Sequence, residues 1–355
     1  AVFGDGAEAA VKWFFDRLGD RFPCKEEEWL SEQSPLDYLG MEIIQKDGRL
    51  HLSMFKYIQS MLKALTWDTL STARAHTPIS APIEGGTPLN ASQRKTFMTT
   101  VGCVGWLVNT GRPDVAYAAS RIAQHLANPT TSALNAIKRV CAYLKRTAHL
   151  SLSVVIDDDD MDIDPAAAAP SDVQSTDDWE FYCDSDFAGN TEEQNARRSQ
   201  NVYIALSGGA PVYWTSKVSS VAFAHPAIGE AHADVSSGAA EVYASGNAAN
   251  DFLYLSYTAV ECGLDFPQPL VLQVDNAAAE CFINNSAFKS KLKHIDTRQH
   301  WVKVLCNREI LVPQHVPSAD NIADIFTKIL CRDIFERLRD RIMHPLILDD
   351  EASLN

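Results

Sequence analysis

The chain has 355 residues and a formal net charge of −15 at pH 7. With 46% apolar and 22% charged residues it reads as a globular chain with a sizeable core, which excludes a fibrous or wholly disordered class. The acidity is local: residues 157–180 carry ten acidic residues and no basic one, so the net charge does not exclude a nucleic-acid partner.

The eight cysteines are scattered, with no C-x-x-C pair and no His/Cys set at zinc spacing. They read as reduced thiols of an intracellular protein. His225 and His232 have no partner set for zinc. No signal-like segment opens the sequence and no run is apolar enough to span a bilayer. Starting at Ala1 without Met, the chain reads as an excised or truncated piece, although removal of Met by processing gives the same start.

In chain order, LDYLGMEII (36–44) predicts a strand. Lys46-Asp47-Gly48 predicts a tight turn, and RLHLSM returns as a second strand. Tyr57, Ile58, Met61, Leu62 and Leu65 recur at helical spacing. A Pro/Gly/Thr-rich loop follows at 77–89. Residues 90–146 predict three helices. The first has Ser92 as its N-cap and Val101, Val104, Leu107 and Val108 on one face. Arg112-Pro113-Asp114 breaks the pattern and opens the second. The third runs from Ser132 to Lys145 on Leu134, Ile137, Val140, Cys141 and Leu144.

Residues 156–178 are acidic, of low complexity and bounded by Pro. They have too little apolar surface to offset ordering entropy, which predicts a disordered, protease-sensitive linker. Beyond it, strands are predicted at Trp179–Asp184, Asn201–Leu206 and Val212–Thr215, the last two joined by Ser207-Gly208-Gly209-Ala210. A long helix at 238–262, a strand at Leu270–Val274, a helix, a strand at Ile310–Val316 and a final helix complete the pattern. Three hairpin strands followed by alternating helix and strand predict an α/β unit, a mixed five-stranded sheet with flanking helices.

Four carboxylates stand out on these elements. Asp184 lies at a strand end, in CDSDFAGN, where Gly189 and Asn190 close a turn. Asp186, two residues on, is an alternative if the register slips. Glu241 lies early in the long helix beside the small Ala239, Ala240 and Ala244. Asp275 ends the strand LVLQV, where open α/β sheets place ligands, with Asn276 beside it. Asp324 lies on a predicted helix whose core face is Ile322, Ile325, Phe326 and Ile329. Taken singly, Asp184 has a turn role, Glu241 a helix-dipole role and Asp324 a solvated role. Taken together they suit Mg²⁺, because clustered carboxylates repel unless a cation holds them, and Mg²⁺ takes oxygen ligands and shares its coordination with phosphate. A second feature is the basic stretch 288–308, with six Lys/Arg, two His and one acid. It reads either as a solvated helix face or as phosphate contacts from Lys289, Lys291, Lys293, His294 and Arg298.

Read in order, these blocks resemble the C-terminal part of the Pol polyprotein of copia-type LTR retrotransposons. LDYLGMEI is similar to that family's FLGIEI strand, and FMTTVGCVGWLVNTGRPDVAYAASRIAQHL through KRVCAYLKRT is similar to its TRPDIAYAVS and KRILRYLKGT blocks. CDSDFAGN, RRSQNVYIALSGGAPVYWTSK, SSGAAEVYA, VDN, KHIDTRQHWVK and ADNIADIFTK are similar to its ribonuclease H blocks. The match covers roughly residues 30–340. The sequence of strand-end Asp, helix Glu, strand-end Asp and helix Asp is that of ribonuclease H. The resemblance implies hydrolysis of RNA in RNA–DNA hybrids, with Asp184, Glu241, Asp275 and Asp324 binding two Mg²⁺ ions, or Mn²⁺. It also implies residues 1–80 as a remnant of reverse transcriptase palm and start of thumb, 81–155 as helical thumb and connection, 179–331 as the ribonuclease H-like domain and 332–355 as a C-terminal helix and tail. The family's Tyr-x-Asp-Asp polymerase hairpin would lie before Ala1 and occurs nowhere in the chain, so polymerase activity is not expected from it alone. The implied partners are an RNA–DNA hybrid and the upstream reverse transcriptase fingers and palm, in a cytoplasmic virus-like particle or the nucleus and not at a membrane. The competing reading is a decayed or co-opted, non-catalytic retroelement piece that binds nucleic acid or a protein.

Overall fold

The computed structural model describes residues 7–19, 21–22, 28, 30–156, 179–186, 198–222, 237–262, 264–276 and 300–346. Linker residues 157–178, both His225 and His232, and the basic candidates Lys289, Lys291, Lys293, His294 and Arg298 lie outside them. The described residues form a mixed α/β structure around two five-stranded sheets. No helix among them is long and apolar enough to cross a membrane.

The first sheet joins both ends of the described chain. After helix α1 (Ala7–Gly19) come β1 (Leu36–Tyr38), β2 (Met41–Lys46) and β3 (Arg49–Ser53). The single strand expected over 36–44 is therefore two. Leu39 (φ 54°) and Gly40 (φ 78°) both take left-handed backbone, which turns the chain back into an antiparallel pair. Next to β3 lies β4 (Leu150–Val155), and next to that β10 (His344–Pro345). Neither β4 nor β10 was legible as a strand in the sequence.

Helices α2 (Phe55–Ala64), α3 (Ala91–Thr110), α4 (Ala116–Ala123) and α5 (Thr131–Arg146) fall where their periodicity places them. The cap of α3 is Asn90, not Ser92. Its side chain accepts from Gln93 N at 2.9 Å while Gln93 Oε1 accepts from Asn90 N at 3.2 Å, a reciprocal box that Ser92 is too far inside the helix to make. Pro113 opens a 3₁₀ turn (Pro113–Val115) between α3 and α4, its missing N–H costing nothing at a first helical position. On either side of it Arg112 and Asp114 are fully buried and paired: Nε and Nη2 donate to the two carboxylate oxygens at 2.9 and 2.8 Å. Tyr143 OH donates to Asp114 at 2.7 Å, and Arg112 donates to Thr147 O and Oγ1.

The second sheet has the order β7-β6-β5-β8-β9. Its strands are β5 (Trp179–Asp186), β6 (Arg198–Ser207), β7 (Ala210–Ala222), β8 (Leu270–Val274) and β9 (Leu311–His315). The β5–β6–β7 meander is antiparallel; β8 and β9 add in parallel. Both β6 and β7 outrun their predicted bounds, and Gly208 (φ 54°) and Gly209 (φ 75°) form the tight turn between them. Parallel addition needs a crossover, supplied before β8 by α6 (Ser237–Glu261); α7 (His300–Asn307) precedes β9.

Alternation along β5 decides what each face of this sheet meets. Phe181 and Cys183 enter a core with Ala240, Ala248, Ala249 and Phe252 of α6 and Val302 and Leu305 of α7. Tyr182 faces the other way, with Val202, Ile204 and Leu206, into a core shared with α2–α5. Trp214 Nε1 donates to Val108 O at 2.8 Å and Gln200 Nε2 to Ser120 Oγ at 2.9 Å along the same junction. The last helix, α8 (Arg332–Arg339), buries Phe335 and Leu338 in that core before β10 closes the first sheet.

Candidate metal centre

The site lies at the end of β5, the central strand of the second sheet. Asp184 is in phase with Tyr182 and 2% exposed. Asp275 follows the last residue of β8, the strand paired with β5, and accepts from Ser318 Oγ at 2.9 Å. Asp324 stands in a 3₁₀ turn (Ile322–Phe326) rather than on the expected helix. Asn321 explains the difference. Its Oδ1 accepts from Ala323 N at 3.1 Å, tightening the turn, while its Nδ2 donates to Cys183 O at 3.2 Å. The turn is thereby pinned to the end of β5, and Asp324 is delivered beside Asp184.

Three carboxylates converge: one oxygen from each of Asp184, Asp275 and Asp324 lies within 4.8 Å of the others. Glu241 is outside that set but against it. It sits near the start of α6, 3% exposed, and Oε1 accepts from Ser185 N at 3.2 Å. The small residues Ala240, Ala244, Ser245 and Ala248, all buried, let α6 approach the sheet closely enough to place it. Asp186, the alternative to Asp184, is the last residue of β5, half-buried and outside the convergent set.

The electrostatics are those of an unbalanced cluster. Burial, then Asp184 and Asp275, push the Glu241 carboxyl well above the usual carboxylate range. Burial and Asp184 push Asp324 up to about 7, with Lys328 pulling the other way. Burial and Asp184 also raise Asp186. Two residues that the sequence reading passed over touch the cluster. Thr327 Oγ1 donates to Asp184 Oδ2 at 2.5 Å. Lys328 Nζ lies 2.7 Å from Asp324 Oδ1 and 3.6 Å from Asp184 Oδ2. The available signal was spacing: in DIFTK the Lys is four residues after Asp324 and on its face of a helical turn.

The residues fit a divalent cation. Glu241 Oε2 and Asp324 Oδ1 are buried with no hydrogen-bond partner, although Lys328 Nζ is close to the latter, so that contact supplies charge without hydrogen-bond alignment. Buried carboxylate oxygens that lack donors and repel one another suit a hard cation, which takes oxygen ligands and offsets several negative charges at once.

Comparison with known proteins places the whole chain in context. No protein-family model matches it. It is 28% identical over 335 residues, 94% of its length, to the retrovirus-related Pol polyprotein from transposon RE2 of Arabidopsis thaliana. It is 27% identical over 330 residues, 92% of its length, to that from transposon RE1 of the same plant. Over most of its length the chain is similar to retrovirus-related Pol polyproteins of transposons. A third such Pol polyprotein, from transposon TNT 1-94 of Nicotiana tabacum, is 25% identical over 321 residues, 86% of the chain. The chain spans about a fifth of the length of these relatives, 20%, 20% and 21% respectively.

Proposed function

We propose that residues 179–331 are a ribonuclease H-like domain that hydrolyses the RNA strand of RNA–DNA hybrids. Asp184, Asp275 and Asp324 would hold Mg²⁺ or Mn²⁺, with Glu241 completing the set for a second ion. The observation that carries the reading is the convergence of three carboxylates from separate elements at one end of a mixed sheet, beside the buried Glu241 Oε2, which has no hydrogen-bond partner. Residues 1–80 would be a remnant of the palm and start of the thumb, 81–155 the helical thumb and connection, and 332–355 a C-terminal helix and tail. The Tyr-x-Asp-Asp motif is absent from the sequence, so DNA synthesis is not part of the proposal.

Bound there, the cations would supply an activated water and charge stabilisation at the leaving oxygen. The chain's own groups set the stage. Thr327 Oγ1 and Ser318 Oγ orient Asp184 and Asp275 by donating to one oxygen of each. Ser185 N fixes Glu241 Oε1 and leaves the buried Oε2 without a hydrogen-bond partner, available to a cation. Recognition of the hybrid would read backbone shape and the 2′-hydroxyl rather than base edges. The basic residues Lys289, Lys291, Lys293, His294 and Arg298 are the proposed phosphate contacts. If so, replacing Lys291 and Lys293 with Ala lowers the salt dependence of hybrid binding, whereas an unchanged slope marks them as merely solvated.

The direct test is cleavage of a labelled hybrid in Mg²⁺ and in Mn²⁺ by the parent and by Asp184→Asn. The proposal expects metal-dependent cleavage by the parent and none by the variant. A parent inactive in both metals returns the chain to the non-catalytic reading.

A further inference from the structure

We propose that Lys328 is a resident cation that holds the carboxylate cluster together before metal binds and is displaced by the incoming ion, so that its removal raises metal affinity. This rests on the metal-centre reading above and adds a residue to it. The geometry points to competition rather than cooperation. Nζ stands between Asp324 Oδ1 at 2.7 Å and Asp184 Oδ2 at 3.6 Å, two of the three groups whose oxygens converge. An ion bridging those carboxylates needs the same space, and two cations at such separations repel.

The neighbouring residue makes the contrast clear. Thr327 is fully buried, and its hydroxyl donates to Asp184 while also donating to Asp324 O at 3.2 Å. It is a fixed neutral donor, with nothing to yield to a cation. The Lys328 side chain is 41% exposed and tethered by a long flexible stem, so its ammonium has a route to water. Its closest contact lacks hydrogen-bond alignment, since Asp324 Oδ1 has no hydrogen-bond partner.

An ordinary exposed helix pair between residues four apart would leave both partners in water. Here both carboxylates are nearly buried, and they come from different elements, β5 and the 3₁₀ turn. One ammonium therefore screens a repulsion between distant parts of the chain. That is also what the metal would do, with more charge and more ligands.

The test is calorimetric titration of Mn²⁺ into the full chain, comparing the parent with Lys328→Met and Lys328→Arg. We expect Lys328→Met to bind Mn²⁺ about tenfold more tightly, a modest figure because the ammonium is partly in water. Its melting temperature without metal should fall below the parent's, and saturating Mn²⁺ should close the gap. Lys328→Arg, which keeps the charge, should bind no more tightly than the parent. Equal or weaker Mn²⁺ binding by Lys328→Met overturns the proposal. Should that variant fail to fold without metal, the parent decides: with ¹³C-lysine labelling, the Lys328 Cε signal should move toward that of a solvated lysine on adding Mg²⁺, and a signal that stays put counts against displacement. Equal Mn²⁺ binding in parent and variant with hybrid cleavage intact removes only the role of Lys328. No Mn²⁺ binding by any of the three chains removes the metal centre as well.

Discussion

The molecule buries carboxylates in two places, and they are treated in opposite ways. Asp114, between α3 and α4, is fully enclosed, and burial alone would raise its carboxyl. Two guanidinium bonds from Arg112 and the Tyr143 hydroxyl outweigh that and hold it below its ordinary value. Every charge there has a partner of opposite sign or a donor. At the end of β5 the balance is incomplete: Glu241 and Asp324 are raised by burial and by their acidic neighbours, Glu241 keeps a buried oxygen with no hydrogen bond, and Lys328, partly in water, is shared between Asp184 and Asp324. A folded chain tolerates such a deficit where something outside the chain completes it. The first site organises structure; the second is compatible with a divalent cation.

This contrast can be broken by substitution. The largest effect is expected from Arg112→Met, which strands Asp114 in the core. Breaking one partner of a buried pair costs about 3–5 kcal/mol, so urea melts should show a large drop in midpoint. A change under about 1 kcal/mol would mean that the pair is not structural. Next comes Tyr143→Phe, which removes one donor to a charged acceptor and should cost about 2 kcal/mol in the same assay.

The metal-centre side of the comparison predicts a slope with pH. The Asp324 carboxyl lies near 7 in the folded chain and Glu241 is also raised, whereas unfolded carboxylates titrate near about 4. Between those values the folded state binds more protons than the unfolded one. The contribution of these groups to stability is therefore present below pH ~4 and lost as pH rises toward ~7. Melting in chelator should show this decline against the rest of the molecule, and saturating Mg²⁺ should flatten it. The smallest change in stability belongs to Asp275→Asn. Removing one repelling charge should leave the metal-free melting temperature unchanged or raised while abolishing metal-dependent cleavage. Joint loss of stability and activity would instead mark Asp275 as a packing residue.

Much of the second sheet was legible in the sequence because it is local. Hairpin glycines, an apolar alternation and a long helix fix β5–β7 and α6, and the Asp275 position can be read directly from LVLQVD, whereas Asp184, expected at the end of its strand, lies inside β5, which runs on to Asp186. The parts that were missed depend on distant partners. β10 is two residues long and exists only because β4 is beside it, almost 200 positions earlier in the chain. Asp324 was placed on a helix because its apolar neighbours have helical spacing; the tighter turn follows from Asn321 bonding Cys183 O, 138 residues away. Thr327 and Lys328 lie in the ADNIADIFTK block, but the block by itself assigned neither a role. Their importance appears only once Asp184 is brought across from β5.

The central claim is that the unbalanced cluster is a cation site. Its most direct test is the anomalous scattering of Mn²⁺ in crystals grown with the ion. The account expects a peak within coordination distance of carboxylate oxygens of Asp184, Asp275 and Asp324, lost in Asp275→Asn. Well-ordered carboxylates with no peak between them at saturating Mn²⁺ would contradict it.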